Sequence, residues 1–422
     1  MDHEGDRQLE PRAAPDRKPR VVLGVAGGIA AYKAVEVLRA LTESGHDVTV
    51  VPTASALEFV GAPTFAALSG HPVHTEVWAD VHEVPHVRLG QQADLVLVVP
   101  ATADLLARAA HGRADDLLTG TLLTARCPVL YAPAMHTEMW QHPATAANVA
   151  TLRSYGAIVL DPADGRLTGS DSGPGRLPDP VEIAAVARAV LARGGLPADL
   201  RGRRVVVTSG GTREDVDPVR FLGNRSSGRQ GVALARAAVA RGAEVALVAA
   251  NLSVAEPAGV KVVPVRSAQD LRSATLEAAA GADAVVMAAA VADFRPSRCS
   301  TSKLKKGSPQ EPSSIELVRN PDVLAELSGQ DVPGRATVVV GFAAETDDVL
   351  ANGRAKLARK GCELLVVNRV GDGLGFEVED NAATILGSDG YERVVPSTSK
   401  DLLAHEVWDA VAVRLDAAVD CP

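Results

Sequence analysis

Two glycine-rich turns in this chain combine residue types that bind phosphate. The first is AGGIA at residues 26–30, and the second runs from TSGGTRE at 208–214 to NRSSG at 224–228. Each follows an apolar, β-branched run and precedes a helical apolar period. Backbone N–H groups at such a turn, together with a helix N-terminus, form an anion site. The sequence therefore predicts two phosphate-bearing ligands, and with them two activities.

Further polar residues in the first half follow predicted strands directly. Thr53 and Ser55 follow the second strand, PATAD at 100–104 follows the third, and PAMHTEMW at 133–140 follows the fourth. Ligands of doubly wound sheets bind outside the carboxyl ends of the strands. We therefore expect these turns to form one site with the first glycine turn.

The second half carries a lysine cluster, KLKK at 303–306, between AAAVADF at 288–294 and NPD at 320–322, with GFAAET at 341–346 beyond them. By itself such a lysine run is typical of a solvated surface. Lysines and Mg²⁺ neutralise the charge that builds on transferring phosphates. A lysine on a flexible loop can also close over a reactive intermediate and exclude water.

Short apolar runs alternate with helical periods in both halves, which predicts an α/β fold of two doubly wound domains, flavodoxin-like or Rossmann-like. We expect a disordered tail at 1–18, a first domain at 19–193, a linker at 194–201 and a second domain at 202–422. The expected strands are 21–26, 47–52, 94–100 and 128–133, then 204–209, 244–249, 284–289, 337–342 and 363–367. Helices are expected at 29–43 and 181–193, a functional or mobile loop at 164–180 and an exposed flexible loop at 294–314.

The amino-acid composition limits the kinds of partner and site that the protein can have. The formal net charge is −9 and aromatic residues make up 3%, which argues against nucleic acid or an anionic membrane as the main partner. The four cysteines are scattered without a CxxC pair, so the sequence predicts a reducing cytoplasm and neither a zinc site nor a disulfide framework. No apolar run reaches the length of a membrane span.

The first half, from about residue 19 to 193, resembles the flavin-containing cysteine decarboxylases, in particular phosphopantothenoylcysteine decarboxylase. The motifs that carry this resemblance are GGIAAYK at 27–33, PATAD at 100–104 and PAMHTEMW at 133–140. The resemblance implies an FMN cofactor held between the subunits of a trimer. The residues implied for its phosphate are Gly28, Ile29 and Ala30, and those for the rest of the flavin are Thr53, Ser55, Thr102, Ala103 and Asp104.

The same resemblance implies two catalytic histidines. His86 matches the family's active-site histidine, with His82 a rival by sequence alone, and His136 stands where the family has a substrate-binding asparagine. The family's flap carries a cysteine that protonates the enethiol intermediate, and this chain has LTGSDSGPGR at 167–176 instead. The proton donor is therefore open among Thr168, Ser170, Asp171 and water.

The second half, from about residue 200 to 415, closely resembles phosphopantothenate–cysteine ligase through NRSSG, AAVAD, KLKK, NPD and GFAAET. This implies that Asn224 binds the phosphopantothenate carboxylate and the acyl-cytidylate, that Lys303 is catalytic, and that a divalent cation, Mg²⁺, lies near Asp293. The residues implied for CTP are Met287, Ala288, Ala289, Asp293, Lys303, Pro321, Asp322, Val323, Leu324, Phe342, Lys356 and Lys360.

Together the two resemblances imply a bifunctional enzyme of coenzyme A biosynthesis. One half would join 4′-phosphopantothenate to cysteine with CTP, with preference over ATP left open, and the other would decarboxylate the product to 4′-phosphopantetheine. They also imply a homo-oligomer, a dodecamer of trimeric decarboxylase and dimeric ligase contacts. One alternative is an active ligase whose first half is only a flavin-binding module for oligomerisation or regulation. A pyridine-nucleotide oxidoreductase is disfavoured because neither turn is GxGxxG.

Overall fold

The structure, a computed structural model, describes residues 17–73, 84–167, 171–305, 314–329, 334–345, 348–369 and 380–419. The chain divides into two compact units, Met1–Leu196 and Pro197–Pro422, so the division falls within the segment 194–201. Most of the tail expected at 1–18 lies outside the described residues. Arg17 is described, and its guanidinium pairs with Asp94 at 2.8 Å.

The first unit is built on a five-stranded parallel sheet in the order β2-β1-β3-β4-β5. Its strands are β1 (Arg20–Val25), β2 (Asp47–Pro52), β3 (Leu95–Ala101), β4 (Val129–Pro133) and β5 (Ile158–Val159). Every residue of β3 is buried, as expected for a central parallel strand with helices on both faces. This strand order is that of flavodoxin-like folds, and it reverses between β1 and β3.

The helices of the first unit alternate with its strands, and the first of them begins as a 3-10 helix. A 3-10 helix (Ile29–Lys33) precedes α1, so the helix expected at 29–43 begins with a tighter turn than an α-helix. The α-helices are α1 (Ala34–Glu43), α2 (Ala54–Leu57), α3 (Ala62–Ser69), α4 (Pro85–Gln92), α5 (Ala103–Ala110), α6 (Leu117–Thr124), α7 (Thr137–Gln141), α8 (Pro143–Ser154) and α9 (Pro180–Arg193).

The second unit is built on an eight-stranded sheet in the order β10-β9-β6-β11-β14-β15-β16-β17. Its strands are β6 (Arg204–Gly210), β9 (Glu244–Ala250), β10 (Val260–Val265), β11 (Ala284–Met287), β14 (Val338–Glu345), β15 (Leu364–Arg369), β16 (Asp380–Gly387) and β17 (Glu392–Ser399). The first six strands are parallel and follow the Rossmann order, which reverses between β6 and β11. The last two pair antiparallel and extend one edge. The expected fold class of two doubly wound domains is confirmed.

Two small antiparallel ribbons lie outside this sheet: β7 (Arg213–Asp215) with β8 (Phe221–Gly223), and β12 (Phe294–Pro296) with β13 (Leu317–Arg319). The expectation of an exposed loop over 294–314 is therefore wrong at its start, because residues 294–296 pair with a strand more than twenty residues away. The α-helices of this unit are α10 (Arg229–Ala240), α11 (Ala268–Ala279), α12 (Val323–Ser328), α13 (Val349–Lys360) and α14 (Lys400–Val419).

One buried cation ties the C-terminal helix to the rest of the second unit. Arg241, immediately after α10, is fully buried, and its guanidinium donates to Asp199 at 2.8 Å and to Asp409 of α14 at 2.7 Å. A third bond goes to the carbonyl of His405 at 3.1 Å. No helix in the described part of the chain is long and apolar enough to cross a membrane.

Candidate functional site

The glycine turn after β1 lies directly against the turn after β2. A Cβ atom at Gly27 would stand 2.5 Å from the Cβ of Ser55 and 2.8 Å from its carbonyl carbon, so only glycine fits there. Thr53 caps α2, since its Oγ1 accepts from the N–H of Ala56 at 3.2 Å, and it lies 3.3 Å from the hydroxyl of Ser55. The two hydroxyls predicted to bind a flavin therefore share one turn beside Gly27.

The turn after β3 completes the same edge. The N–H of Ala26 donates to the carbonyl of Pro100 at 3.2 Å, and a Cβ at Gly28 would stand 3.7 Å from the methyl group of Thr102. Thr102 caps α5 by accepting from Leu105 N–H at 3.3 Å. The carboxylate of Asp104 pairs instead with Arg108 at 3.0 Å and is 76% exposed.

His136 follows β4 and stands at the start of α7, with its side chain exposed. Ala134 N–H donates to Ala101 at 3.1 Å, which places this turn beside the one after β3. Backbone hydrogen bonds pair Ala163 with Arg176 and join Leu167 to Asp171, so the expected loop at 164–180 is partly a hairpin. We call the described part of this segment, residues 163–167 and 171–176, the flap hairpin.

The flap hairpin packs on the residues that carry His136. Gly175 accepts from Met135 N–H at 2.9 Å, and a Cβ at Gly175 would stand 2.3 Å from the carbonyl oxygen of Met135. Of the candidate proton donors, Asp171 is exposed near the tip, whereas Thr168 and Ser170 lie outside the described residues.

His86 lies in the first turn of α4, and its ring packs on Gly120 of α6. Its Nδ1 is buried and has no hydrogen-bond partner among the described residues, and the same holds for the hydroxyl of Thr137 beside His136. A buried polar atom without a partner costs about 1–3 kcal/mol, so each of these atoms needs a partner from water, a ligand or another chain. No described hydrogen bond joins His86 to the glycine turn, and the rival His82 lies outside the described residues.

In the second unit, two threonine hydroxyls join the glycine turn after β6 to the AAVAD segment after β11. Thr208 accepts from Ala289 N–H at 3.0 Å, and Thr212 accepts from Ala292 N–H at 2.9 Å. The side-chain amide of Asn224 donates to the carbonyl of Val291 at 3.0 Å. Three motifs that are far apart in the sequence therefore form one site where the strand order reverses.

A pocket of about 140 Å³ opens beside this junction at the N-terminus of α10. Gly228 caps that helix at φ +84, a left-handed conformation that favours glycine, and its carbonyl accepts from Ser209 Oγ at 2.8 Å. The pocket is lined by residues 226–230, 288–290 and 342–344 and by Asn368, Asn381 and Lys400.

The far wall of this pocket escaped the sequence analysis. Lys400 and Asn381 are only 9% and 8% exposed. Gln230 donates to the carbonyl of Lys400 at 3.2 Å, and its own Oε1 is buried without a partner among the described residues. A nearly buried lysine and a helix N-terminus that line one pocket make it suited to phosphate. Asn368 stands in register with Ala344 of the GFAAET motif, a pairing that only the sheet reveals.

Other residues predicted for CTP lie on the same edge of the sheet. Asn320 binds the AAVAD segment, because its N–H donates to the carbonyl of Asp293 at 2.9 Å and its amide donates to that of Ala292 at 2.8 Å. Pro321, Asp322, Val323 and Leu324 follow directly into α12. Met287 is buried at the end of β11, and Phe342, Ala288 and Ala289 line the pocket.

The predicted nucleotide-binding lysines differ in their partners. Lys360 pairs with Asp322, and Lys356 lies 3.7 Å from Glu345. Partial burial raises the pKa of Asp322, but hydrogen bonds from Lys360 and from Ala325 N–H outweigh it and lower that pKa overall. Lys303 is exposed, and Lys306 and Thr346 lie outside the described residues.

Asp293, the predicted magnesium ligand, is exposed. Across the described ranges, no group of three or more His, Cys, Asp or Glu side chains is arranged to hold a metal ion. Such a cage is not required for Mg²⁺ that arrives with a nucleotide, since that ion keeps several waters and uses one or two carboxylates plus the phosphates.

Two family profiles match the chain, one over each unit. The description "DNA/pantothenate metabolism flavoprotein C-terminal domain" covers residues 200–415, and the description "Flavoprotein" covers residues 10–192.

Proteins similar over nearly the full length carry one name. The chain is 60% identical to the coenzyme A biosynthesis bifunctional protein CoaBC of Mycolicibacterium smegmatis, over 94% of this chain and 98% of the relative. It is 41% identical to the protein of that name from Vibrio cholerae, over 93% and 97%. A crystal structure of the C-terminal domain of a CoaBC protein is 34% identical, with a TM-score of 0.44, covering 52% of this chain and 99% of that domain.

Proposed function

Because this chain belongs to the family of bifunctional coenzyme A biosynthesis proteins, we propose how its two units divide the two reactions. The chain is a phosphopantothenate–cysteine ligase and a phosphopantothenoylcysteine decarboxylase, as the sequence analysis predicted. The relatives match both units, which does not favour a first unit that serves only for oligomerisation or regulation. We further propose roles for individual residues, the use of CTP and Mg²⁺, and an oligomeric assembly.

The second unit is the ligase, and the pocket at the N-terminus of α10 is the observation that carries this proposal. The N-terminus of α10 and the nearly buried Lys400 line the pocket, and Asn224 donates to Val291, which follows the lining segment 288–290. Such a site binds the phosphate of a phosphorylated substrate. Asn224 then orients the substrate carboxylate beside the AAVAD segment, where the predicted CTP residues gather.

The ligase chemistry proceeds in two steps. A carboxylate oxygen of 4′-phosphopantothenate attacks the α-phosphorus of CTP, and pyrophosphate leaves. The amine of cysteine then attacks the acyl carbon, cytidylate leaves and an amide forms. Lys303 neutralises charge on the phosphates during the first step, and Mg²⁺ arriving with the nucleotide would supply further positive charge there. Lys360 and Lys356 lie near carboxylates, so of the three lysines predicted to bind CTP the exposed Lys303 is the one best placed to move onto the nucleotide.

The first unit is the decarboxylase, and its residues fit an FMN cofactor. Its strand order reverses between β1 and β3, the position at which flavodoxin-like sheets bind FMN. Gly27 and Gly28 leave the backbone bare there, and Thr53, Ser55 and Thr102 surround the turn. Gly28, Ile29 and Ala30 would hold the phosphate, and Thr53, Ser55 and Thr102–Asp104 the remainder. When bound, a flavin accepts two electrons from the substrate and returns them.

The chain's own groups bind and orient the substrate. His136 is exposed beside the turn after β3 and under the flap hairpin, where its imidazole can donate to the substrate carboxylate. His86 offers a buried, unpartnered Nδ1. We assign it a catalytic contact with substrate or flavin across a subunit boundary, because no described bond joins it to the glycine turn of its own chain.

The exposed apolar surface beside the glycine turn supports this assembly. Ile29 is 71% exposed and Tyr32 is 54% exposed, although both belong to the 3-10 helix that follows Gly28. Another copy of the chain would cover them, as the proposed trimer of decarboxylase units requires. Dimeric contacts between ligase units would extend the trimer to a dodecamer, which sedimentation analysis of the purified protein tests.

The function is tested with purified protein, 4′-phosphopantothenate, cysteine, CTP and Mg²⁺. We expect release of pyrophosphate and CO₂, and a flavin spectrum. Lys303→Gln should slow pyrophosphate release strongly, to a residual rate that can still be measured, while CO₂ release from supplied phosphopantothenoylcysteine continues. His86→Asn should do the reverse. Replacement of CTP by ATP measures the nucleotide preference. Absence of pyrophosphate with either nucleotide would refute the ligase assignment, and loss of both reactions in each variant would refute independent sites.

A further inference from the structure

The ribbon of β7 and β8 contains a buried carboxylate that lies in the second glycine-rich loop and has no role in the reaction described above. Asp217 lies between the two strands and is 1% exposed. Its Oδ1 accepts from the N–H groups of Val219 and Arg220, both at 2.8 Å, and its Oδ2 accepts from the Arg220 guanidinium at 2.6 Å and 3.0 Å. Burial raises the pKa of Asp217, but these donors outweigh it and lower that pKa, so the side chain is an anion at neutral pH.

The same Asp–Arg pair binds the backbone of the lysine segment, residues 303–305, from both sides. Asp217 Oδ2 accepts from Leu304 N–H at 3.2 Å, and the Arg220 guanidinium donates to the Leu304 carbonyl at 2.7 Å. A further bond runs from Ser300 N–H to the Val216 carbonyl at 3.0 Å. Leu304 is partly buried, while its neighbours Lys303 and Lys305 are exposed.

The other end of the ribbon leads to Asn224, the residue proposed to bind the substrate carboxylate. β8 ends at Gly223, and the next residue is Asn224, whose amide donates to Val291. The ribbon therefore connects the residue proposed to hold the substrate carboxylate with the segment that carries the proposed catalytic lysine. Charge-assisted hydrogen bonds to a backbone fix a segment more firmly than neutral ones.

We propose that Asp217 is a positioning residue of the ligase, which holds Leu304 so that the ammonium of Lys303 can reach the nucleotide phosphates beside Asn224. This inference rests on the proposed role of Lys303 in the ligase reaction. Asp217 does not contact the substrate in this proposal. Its replacement should therefore lower kcat for pyrophosphate release only when Lys303 is present.

The test compares Asp217→Asn with a matched control in the same ribbon. Asp215→Asn makes the same chemical change, but Asp215 pairs with the exposed Arg266 at 2.6 Å and has no bond to the lysine segment. A displacement of about 1 Å of a positioned group costs on the order of a hundredfold in rate. We expect Asp217→Asn to lower kcat for pyrophosphate release by about ten- to a hundredfold, with a smaller change in KM for 4′-phosphopantothenate, and Asp215→Asn to match the unaltered protein.

A double variant separates positioning from a general structural role. In the Lys303→Gln background, Asp217→Asn should cause no further loss, because a residue that acts through Lys303 has nothing left to position. Asp217→Glu should recover part of the rate, and trypsin should cleave after Lys303 and Lys305 faster in Asp217→Asn than in Asp215→Asn.

Three results would overturn the inference. The first is an equal loss from Asp217→Asn with and without Lys303, and the second is an unchanged kcat in a folded Asp217→Asn variant. The third is an unchanged kcat in Lys303→Gln. That result would refute the proposed role of Lys303 itself, and the single variant separates it from a failure of the inference about Asp217. If thermal unfolding shows that Asp217→Asn does not fold, Arg220→Lys replaces the guanidinium that donates to the Leu304 carbonyl and keeps a positive charge beside Asp217. The same fall in kcat is then expected.

Discussion

Replacement of Gly27 by alanine tests the flavin site through one added methyl group. The added Cβ would stand 2.5 Å from both Cβ and Oγ of Ser55 and 2.8 Å from the Ser55 carbonyl carbon. The hydroxyl of Ser55 can rotate away, but its Cβ and backbone cannot. The turn after β1 and the turn after β2 must therefore move apart, and these are the two turns proposed to hold the flavin.

The size of the effect follows from the overlap. Carbon atoms pack at about 3.5–4.0 Å, so the turns must separate by roughly 1 Å. Overpacking of this kind costs about 1–3 kcal/mol. The folded variant can relieve the overlap by moving the turn of Thr53 and Ser55 away from its place in the flavin site. Binding of the flavin must then move the turn back, at a cost equal to the free energy of the overlap. Since each 1.4 kcal/mol is a factor of ten, flavin affinity should fall roughly five- to 150-fold.

The assay is the visible flavin absorbance per protomer after dialysis, followed by titration with FMN. Gly61→Ala is the matched control, because its Cβ would approach Pro63 Cδ only to 3.6 Å, an ordinary contact. We expect Gly27→Ala to lose flavin and CO₂ release, while pyrophosphate release by the second unit continues. A Gly27→Ala protein that binds FMN as tightly as the control would refute the assignment of this turn to the flavin.

Three further changes have defined outcomes. Lys400→Met should raise KM for 4′-phosphopantothenate in the pyrophosphate assay by about tenfold or more, because a hydrogen bond to a charged group contributes about 1.5–3 kcal/mol, and CO₂ release should not change. Arg241→Met should lower the free energy of unfolding in urea, by less than the about 3–5 kcal/mol of a fully buried broken pair, because Asp199 and Asp409 stay partly exposed. Burial raises the pKa of Asp116, but hydrogen bonds from Thr119 and Arg108 outweigh it and lower that pKa below the unfolded value. The stability from Asp116 is therefore present above about pH 4 and is lost as the pH falls through the folded pKa, so Asp116→Asn should flatten this acid-side loss in unfolding measured against pH.

The alternating elements of both units could be predicted because their signals are local. The runs expected at 21–26 and 94–100 became β1 and β3 with shifts of one residue, and the glycine turns stand where they were expected. A buried parallel strand is apolar along its whole length, and a turn against another backbone requires glycine, so both are visible in a short window of sequence. The antiparallel strands β16 and β17 were missed, and so was the pairing of β12 with β13.

The sequence by itself determined the chemistry, since hydroxyls, lysines and an asparagine in recognisable motifs indicated phosphate-bearing ligands and a bifunctional enzyme. Only the tertiary structure decided which of these groups meet. Gln230 contacts Lys400 from 170 residues away, and Asp217 binds Leu304 from 87 residues away. Such neighbours are set by the order in which strands cross over in the sheet and by the ribbon beside it. Residue type alone cannot show that order, because it depends on how the whole chain packs.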